Sequence, residues 1–231
     1  MSTITPNICI LTPIRANQAF REHKDIWSAL GMLEPTVSER MRLFTQLSEA
    51  TPEGCARRAA LKGAVEHTSR EFHGLGIEMN QFYTSSAISA SAEEAKPPYQ
   101  QDEVLYYQPS TYPGSRLPHA WLNSSSPTTP VSTIDLAGKG NFTLLSGIGG
   151  KQWKAASAVV TEELGVSINT YLIGFRQDYE DVYSTWSEVR AVEESGCILV
   201  RPDRFVCWRC QKLPNDYTEA LRVAMRSVLA I

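Results

Sequence analysis

Residues 142–156, FTLLSGIGGKQWKAA, run from an apolar stretch through a cluster of glycines into a helical pattern. The opening FTLLS is almost wholly apolar, which is typical of a buried strand. The pattern after the glycines continues to Leu164 and predicts a helix that ends at Gly165. A strand, a tight glycine turn and a helix in this order predict the start of an α/β domain.

Further strand and helix patterns lie on both sides of this stretch. The predicted elements are VSTIDL (131–136) and INTYLIG (168–174) as strands, DVYSTWSEVRAVEESG (181–196) as mostly helix, CILVRPDRFVCWR (197–209) as a hairpin turning at Pro202–Asp203, and DYTEALRVAMRSVLA (216–230) as a last helix. Strand, helix and strand, followed by helix, hairpin and terminal helix, is the order of a thioredoxin-like domain. We therefore predict an α/β fold with a thioredoxin-like domain over 118–231.

The N-terminal part of the chain carries helical patterns instead. Apolar residues recur at helical spacing on both sides of Pro35, and a longer helix is predicted over 53–73 with Thr51 as its N-cap. Glycines 74 and 76 are expected to end that helix, and IEMNQFYTS (77–85) is expected to be extended. We predict a helical segment over 1–84.

Between the two parts, residues 85–117 are rich in Ser, Ala, Pro and Tyr. A flexible linker of this composition would lack aromatic residues, whereas these tyrosines are expected to lie on a neighbouring surface. The segment is therefore predicted to be an ordered connector.

Composition excludes several classes of protein. The 231 residues carry a net charge of −3, without a basic run interleaved with aromatics, so we expect no nucleic-acid partner. The start of the chain lacks the positive region of a signal peptide, and no apolar stretch is long enough to span a membrane. We expect a cytoplasmic protein without a membrane contact.

The cysteines form an odd, scattered set: Cys9, Cys55, Cys197, Cys207 and Cys210. This set indicates reduced thiols rather than a disulfide framework. The spacing of Cys207 and Cys210 imitates half of a redox or zinc site, but no second Cys or His pair accompanies it. We interpret these two residues as thiols that happen to be close, and we expect no metal.

The glycine turn at 146–150 admits three interpretations. A phosphate loop would follow the pattern G-x-x-x-x-G-K-[ST], and here no Ser or Thr follows Lys151. A thioredoxin redox centre would need a cysteine at this strand-to-helix turn, and none is present. The third interpretation is a structural turn that lets the strand pass closely into the helix.

Four blocks of the sequence resemble one family. YYQPSTYPGSRLPHAWL (106–122), VSTIDLAGKGNFTLLSGIGGKQW (131–153) and EESGCILVRPDRFVCWR (193–209) resemble the C-terminal region of flavin-dependent aromatic hydroxylases of the phenol hydroxylase and chlorophenol monooxygenase type. RRAALKGAVEHTSREFHGLGIEMNQFY (57–83) resembles the segment just before it. The resemblance runs from about Arg15 to the end of the chain.

This resemblance implies a thioredoxin-like domain without redox cysteines at the expected site, in which the same glycines are structural. In that family FAD is held by an N-terminal G-x-G-x-x-G turn, and the substrate lies against a further N-terminal sheet. Neither precedes Arg15, so we expect the FAD-binding and substrate domains to be missing and no cofactor to be bound. The terminal domain of the family contributes to dimer contacts, which implies a possible homodimer.

Candidate catalytic residues lie on the predicted helix and just after it. His67 and Glu71 are one turn apart, and an imidazole beside a carboxylate can act as a general base. The alternative is a solvated pair on a charged helix face. Glu78 and Tyr83 are secondary candidates near the same side. His119 resembles the family's entry into the terminal domain, and we expect it to pack.

Three functions remain open. The first, which we place ahead of the others, is a cofactor-independent cyclase, isomerase or dehydratase acting on an aromatic or polyketide-like molecule in secondary metabolism. The second is a dimerisation or helper partner of a full-length flavoenzyme. The third is an inactive fragment of an FAD-dependent phenol hydroxylase. Because a fold does not determine a function, enzymatic activity stays open.

Overall fold

The computed structural model describes residues 23–90, 95–124 and 129–231, and of residues 70–72 it describes the backbone alone. These residues form two compact units. The helical unit holds residues 23–78 and 102–107, and the sheet unit holds residues 79–101 and 108–231. The segment predicted as a connector, 85–117, thus contributes residues to both units.

The helical unit begins with helical residues 23–29 (α1), followed by α2 (Val37–Gln46), α3 (Pro52–Phe72) and α4 (Leu75–Met79). The prediction of Thr51 as an N-cap is confirmed, since its side chain accepts a hydrogen bond from the backbone N–H of Gly54. Such a cap satisfies an amide that the first turn of a helix leaves without a partner.

The extended conformation predicted for 77–85 is wrong at its start. Residues 77–79 belong to α4, whose first turn closes with a hydrogen bond from the Ile77 N–H to the Gly74 carbonyl at 3.0 Å. Gly76, expected to stop a helix, lies inside this turn and donates its N–H to the Val104 carbonyl at 3.0 Å. A contact with a distant segment therefore fixes a helical turn that local glycine preference disfavours.

The sheet unit opens with a short hairpin of β1 (Trp121–Leu122) and β2 (Val131–Ser132). The strand predicted over 131–136 is wrong beyond Ser132, because the next four residues form helix α5 (Thr133–Leu136). Ser132 accepts from the Ile134 N–H, and Asp135 accepts from the Ser132 N–H at 3.2 Å. This reciprocal capping box stabilises a helical turn where the alternating pattern had predicted a strand.

The main sheet has four strands in the order β4-β3-β5-β6. They are β3 (Phe142–Ser146), β4 (Ile168–Leu172), β5 (Cys197–Val200) and β6 (Val206–Cys210). β3 and β4 are parallel and joined by α6 (Gln152–Leu164), whereas β5 lies antiparallel to both β3 and β6. The strands predicted from residue 142 and from residue 168, the hairpin over 197–209 and the helix ending at Gly165 are confirmed.

Of the last two predicted helices, the second forms as predicted and the first forms only in part. α8 (Tyr217–Leu229) confirms the predicted last helix, and the structure adds that Asp216 is its N-cap. The helix predicted over 181–196 is wrong for most of its length, because only α7 (Thr185–Val189) forms. The Asp181 carboxylate accepts hydrogen bonds from the N–H groups of Trp186 and Ser187 and so fixes where this helix begins.

Apolar side chains cover both faces of the main sheet. One face packs under α6 and α8, and its buried members are Phe142, Leu144, Trp153, Ala156, Val160, Cys197, Leu199, Cys207, Leu221, Met225 and Val228. The opposite face packs with α7 and the β1–β2 region, and its members include Leu145, Ile198, Val200, Val206 and Trp186. Helices on a mixed sheet in this chain order confirm the thioredoxin-like α/β fold.

Candidate functional site

The glycine turn between β3 and α6 is filled by the chain itself. A Cβ atom on Gly147 would lie 2.6 Å from the Glu194 carbonyl oxygen, and one on Gly150 would collide with the Ser146 side chain. The Ser146 hydroxyl donates to the Gly196 carbonyl at 2.6 Å and holds the neighbouring loop against the turn. Glycine is required here for close packing of backbone on backbone.

The same turn does not fit FAD. A dinucleotide turn offers free amides at a helix N-terminus to the pyrophosphate. Here the amides of Gly150, Trp153 and Lys154 already donate to carbonyls within the turn, at 3.0–3.1 Å. The remaining glycines of the chain form no G-x-G-x-x-G pattern. The described residues therefore carry no flavin-binding turn.

The cysteine pair of β6 does not form a redox centre of the thioredoxin type. Cys207 is buried inside the sheet, and burial raises the pKa of its thiol well above its usual range. Cys210 is half-buried at the end of the strand. Among the residues that the structure describes, no three His, Cys, Asp or Glu side chains gather where they could hold a metal ion.

The pair of His67 and Glu71 stays a prediction. His67 is exposed on α3, and the side chain of Glu71 lies outside the described residues. An earlier turn of α3 carries an exposed ion pair between Lys62 and Glu66 at 3.7 Å, and a solvated pair of this kind is the alternative for His67 and Glu71.

The secondary candidates Glu78 and Tyr83 fall in different units. Tyr83 belongs to the sheet unit, where its ring meets the ring of Phe205 edge-on at a centroid distance of 4.3 Å. This contact gives Tyr83 a packing role. Glu78 belongs to the helical unit, where its exposed carboxylate lines a cleft.

That cleft has a volume of about 740 Å³ and lies where α3 passes into α4. Its lining consists of Ser69, His73, Gly74, Leu75, Ile77, Glu78, Leu105 and Tyr106. An imidazole and a carboxylate thus face one concave surface that also offers an aromatic ring. No pattern in the sequence brings residues 105–106 to this place.

His119 packs as expected. Its Nδ1 lies 2.7 Å from the Ser132 hydroxyl, and its ring meets the ring of Trp121 edge-on at a centroid distance of 4.7 Å. The imidazole thereby ties the start of β1 to the cap of α5. Within the described ranges, none of the helices has both the length and the apolar character to cross a membrane.

Comparison with known proteins gives one consistent family. The family model of the C-terminal domain of aromatic-ring hydroxylases matches residues 110–230. The chain is 39% identical to 2,4-dichlorophenol 6-monooxygenase of Delftia acidovorans, with 94% of this chain and 37% of that protein aligned. It is also 39% identical to phenol 2-monooxygenase of Pseudomonas sp. strain EST1001, over 90% of this chain and 34% of that one.

A solved structure agrees with these relatives. The flavin-dependent monooxygenase PieE, crystallised with FAD and substrate, matches 94% of this chain with a TM-score of 0.83 and 37% identity. The matched region again covers 37% of that protein. The chain thus spans little more than a third of the length of the relatives it matches.

Proposed function

Because the chain belongs to the aromatic-ring hydroxylase family, we propose that it works as the C-terminal part of a flavin-dependent monooxygenase of aromatic or polyketide-like substrates. The observation that carries this proposal is the match to PieE, a flavin-dependent monooxygenase, over 94% of the chain. In this role the chain supplies a packed domain and a contact surface, and the flavin is bound elsewhere. This assignment is in line with the glycine turn at 146–150, whose Gly147 and Gly150 pack against the chain itself.

The helical unit carries the surface that supports an assembly. Six large apolar side chains of α1, α2 and the turn between them are exposed: Trp27, Met32, Leu33, Val37, Met41 and Phe44. Val37 is 71% exposed and Met41 is 59% exposed. On α2, Val37, Met41 and Phe44 recur at helical spacing and share one face, and a contiguous exposed apolar patch of this kind marks a protein interface more often than isolated exposed residues do. We assign this surface to the flavin-binding domain, whether that domain is on the same chain or on a partner.

A second copy of the chain is the other occupant of this surface, since the family resemblance implies a homodimer. Size-exclusion chromatography with light scattering separates the two. The proposal predicts that Met41→Glu weakens binding of a relative's flavin-binding domain, whatever its effect on self-association. If Met41→Glu changes only self-association, the surface belongs to the dimer.

The proposal predicts that the chain alone does not bind FAD. The measurement is a titration of the purified chain with FAD, followed by visible absorption and flavin fluorescence. We expect no saturable change up to about 100 μM, a concentration at which a site with a Kd of about 1 μM would be almost fully occupied. Saturable binding, with spectral changes on adding a reduced nicotinamide, would mean that residues outside those described here hold the flavin.

The cleft of the helical unit favours a second function, cofactor-independent proton transfer on an aromatic or polyketide-like molecule. Its volume of about 740 Å³ is large enough for a ligand of that size. His73 and Glu78 would supply the acid and the base, and the ring of Tyr106 would stack on the substrate. This arrangement replaces the pair of His67 and Glu71 as the centre of such a site.

This second function predicts that His73→Gln and Glu78→Gln each lower turnover at least about a hundredfold, which is the usual contribution of a general acid or base. The readout is turnover of candidate aromatic ketones and polyketide-like esters by the chain alone. His67→Gln is the matched control, because His67 lies on α3, whose C-cap is His73, but does not line the cleft. Loss of activity in His67→Gln alone would instead support the pair of His67 and Glu71.

A further inference from the structure

Two cysteines face each other across the hairpin of the main sheet. Cys197 of β5 is the direct partner of Cys210 of β6 in the antiparallel register. Partners in such a register project to the same face, and both residues belong to the cluster under α6 and α8. Directly opposed residues have Cα atoms about 4.5–5.5 Å apart. This separation falls inside the range of roughly 4.4–6.8 Å that a disulfide spans.

The two thiols differ in their access to solvent. Cys197 is completely buried, and burial, together with the neighbouring Cys210, raises the pKa of its thiol well above its usual range. Cys210 is half-buried, ends its strand, and has its sulfur 3.1 Å from the Lys212 carbonyl oxygen. Of these two thiols, Cys210 is therefore the one that a small oxidant in solution reaches first. Cys197 is held where its sulfur can react with the oxidised sulfur of Cys210.

We propose that Cys210 and Cys197 form a reversible cross-strand disulfide when the protein meets hydrogen peroxide. The Cys210 thiolate attacks one peroxide oxygen, the O–O bond breaks, and a sulfenic acid and water result. The Cys197 sulfur then attacks the sulfenic sulfur, an S–S bond forms, and the Cys197 proton leaves with the hydroxyl as a second water. Two thiols are oxidised, one peroxide is reduced, and a dithiol returns the pair to its starting state.

The nearby Cys207 provides the matched control. The register between β5 and β6 shifts at Leu199 and Val200, so that Trp208 pairs with Leu199 and Val206 pairs with Val200. Cys207 is the extra residue of this bulge and has no register partner on β5. Its sulfur donates to the Leu199 carbonyl at 3.4 Å. The sequence spacing suggests Cys207 as the neighbour of Cys210, whereas the strand register makes Cys197 its partner across the sheet.

The experiment treats the full chain with hydrogen peroxide at neutral pH and analyses the intact mass and the non-reduced proteolytic peptides. We expect the loss of two hydrogen atoms, a peptide linking Cys197 to Cys210, and recovery of the thiols with dithiothreitol. Cys210→Ser should abolish the link and leave Cys197 unmodified. Cys207→Ser should leave the link intact.

Three results would overturn the proposal. They are a link between Cys207 and Cys210, a link between the Cys210 residues of two chains, and oxidation of Cys210 to a sulfinic acid with Cys197 still free. Circular dichroism of Cys210→Ser shows whether the variant keeps its fold. Since Cys210 is half-buried, we expect the spectrum of the unmodified chain.

Discussion

Replacing Trp153 by alanine is expected to remove about 3–5 kcal/mol from the free energy of unfolding of the sheet unit, the range seen when a large buried aromatic is truncated. Trp153 is completely buried and packs between the sheet and α8. Its ring meets Trp208 and Tyr217 edge-on, and its indole N–H donates to the Ser195 carbonyl at 2.9 Å. The substitution leaves a cavity and a carbonyl without its donor.

Urea unfolding followed by circular dichroism measures this loss. Two further variants separate its causes. Trp153→Phe keeps most of the packing and loses the hydrogen bond, so it should cost about 1–2 kcal/mol. Trp121→Ala, at a side chain that is 48% exposed, should cost less than about 1 kcal/mol. A loss below about 1 kcal/mol for Trp153→Ala would contradict the packing described for this core.

Gly147→Ala is expected to destabilise the sheet unit by about 1–3 kcal/mol, as overpacked substitutions do. Its Cβ atom would lie 2.6 Å from the Glu194 carbonyl oxygen and 3.3 Å from the Ile173 carbonyl oxygen. The backbone must therefore move. The effect should be seen without any ligand, because the turn packs against its own chain. A glycine that only cradles a ligand would tolerate this change in the free protein.

Gly63→Ala is the control for exchanging glycine for alanine. Gly63 lies inside α3, and no neighbouring atom comes within 4 Å of the place that an alanine Cβ would take there. The substitution should stabilise the helical unit by about 0.5–1 kcal/mol, since alanine favours the helix. Thermal melting of the two variants should move in opposite directions. If Gly147→Ala leaves the thermal stability unchanged, the glycine turn would again be a candidate ligand site.

The sequence was sufficient for the elements whose signals are local. The periodicity before Gly165, the cap at Thr51, the last helix over 216–230 and the hairpin at 197–209 all correspond to elements of the structure. Each of these signals depends on residues within one or two turns of each other. The resemblance to the aromatic hydroxylase family is also confirmed, by the family match over 110–230 and by PieE.

Features that depend on side-chain capping or on distant contacts could not be predicted from the sequence. The capping box of Ser132 and Asp135 converts an alternating segment into a helical turn. The Asp181 carboxylate accepts hydrogen bonds from amides in the first turn of α7 and so fixes where that helix begins. In both cases a short polar side chain competes with the pattern of apolar residues.

The candidate site shows the same limit. The cleft joins His73 and Glu78 to Tyr106, which lies 28 positions beyond Glu78 in the sequence. The pairing of Cys197 with Cys210 depends on the strand register and on a bulge at Cys207. Sequence spacing could nominate each residue type but not these combinations, because long-range packing determines which residues meet.

A domain exchange tests most directly whether this chain works as the C-terminal part of a flavin-dependent monooxygenase. The C-terminal region of the Delftia acidovorans 2,4-dichlorophenol 6-monooxygenase that this chain matches is replaced by this chain, and hydroxylation of 2,4-dichlorophenol with a reduced nicotinamide is measured. We expect the exchanged protein to retain FAD and to hydroxylate 2,4-dichlorophenol at a rate well above that of the relative's N-terminal region alone. A folded, FAD-loaded exchange protein that hydroxylates no faster than that region would contradict this assignment.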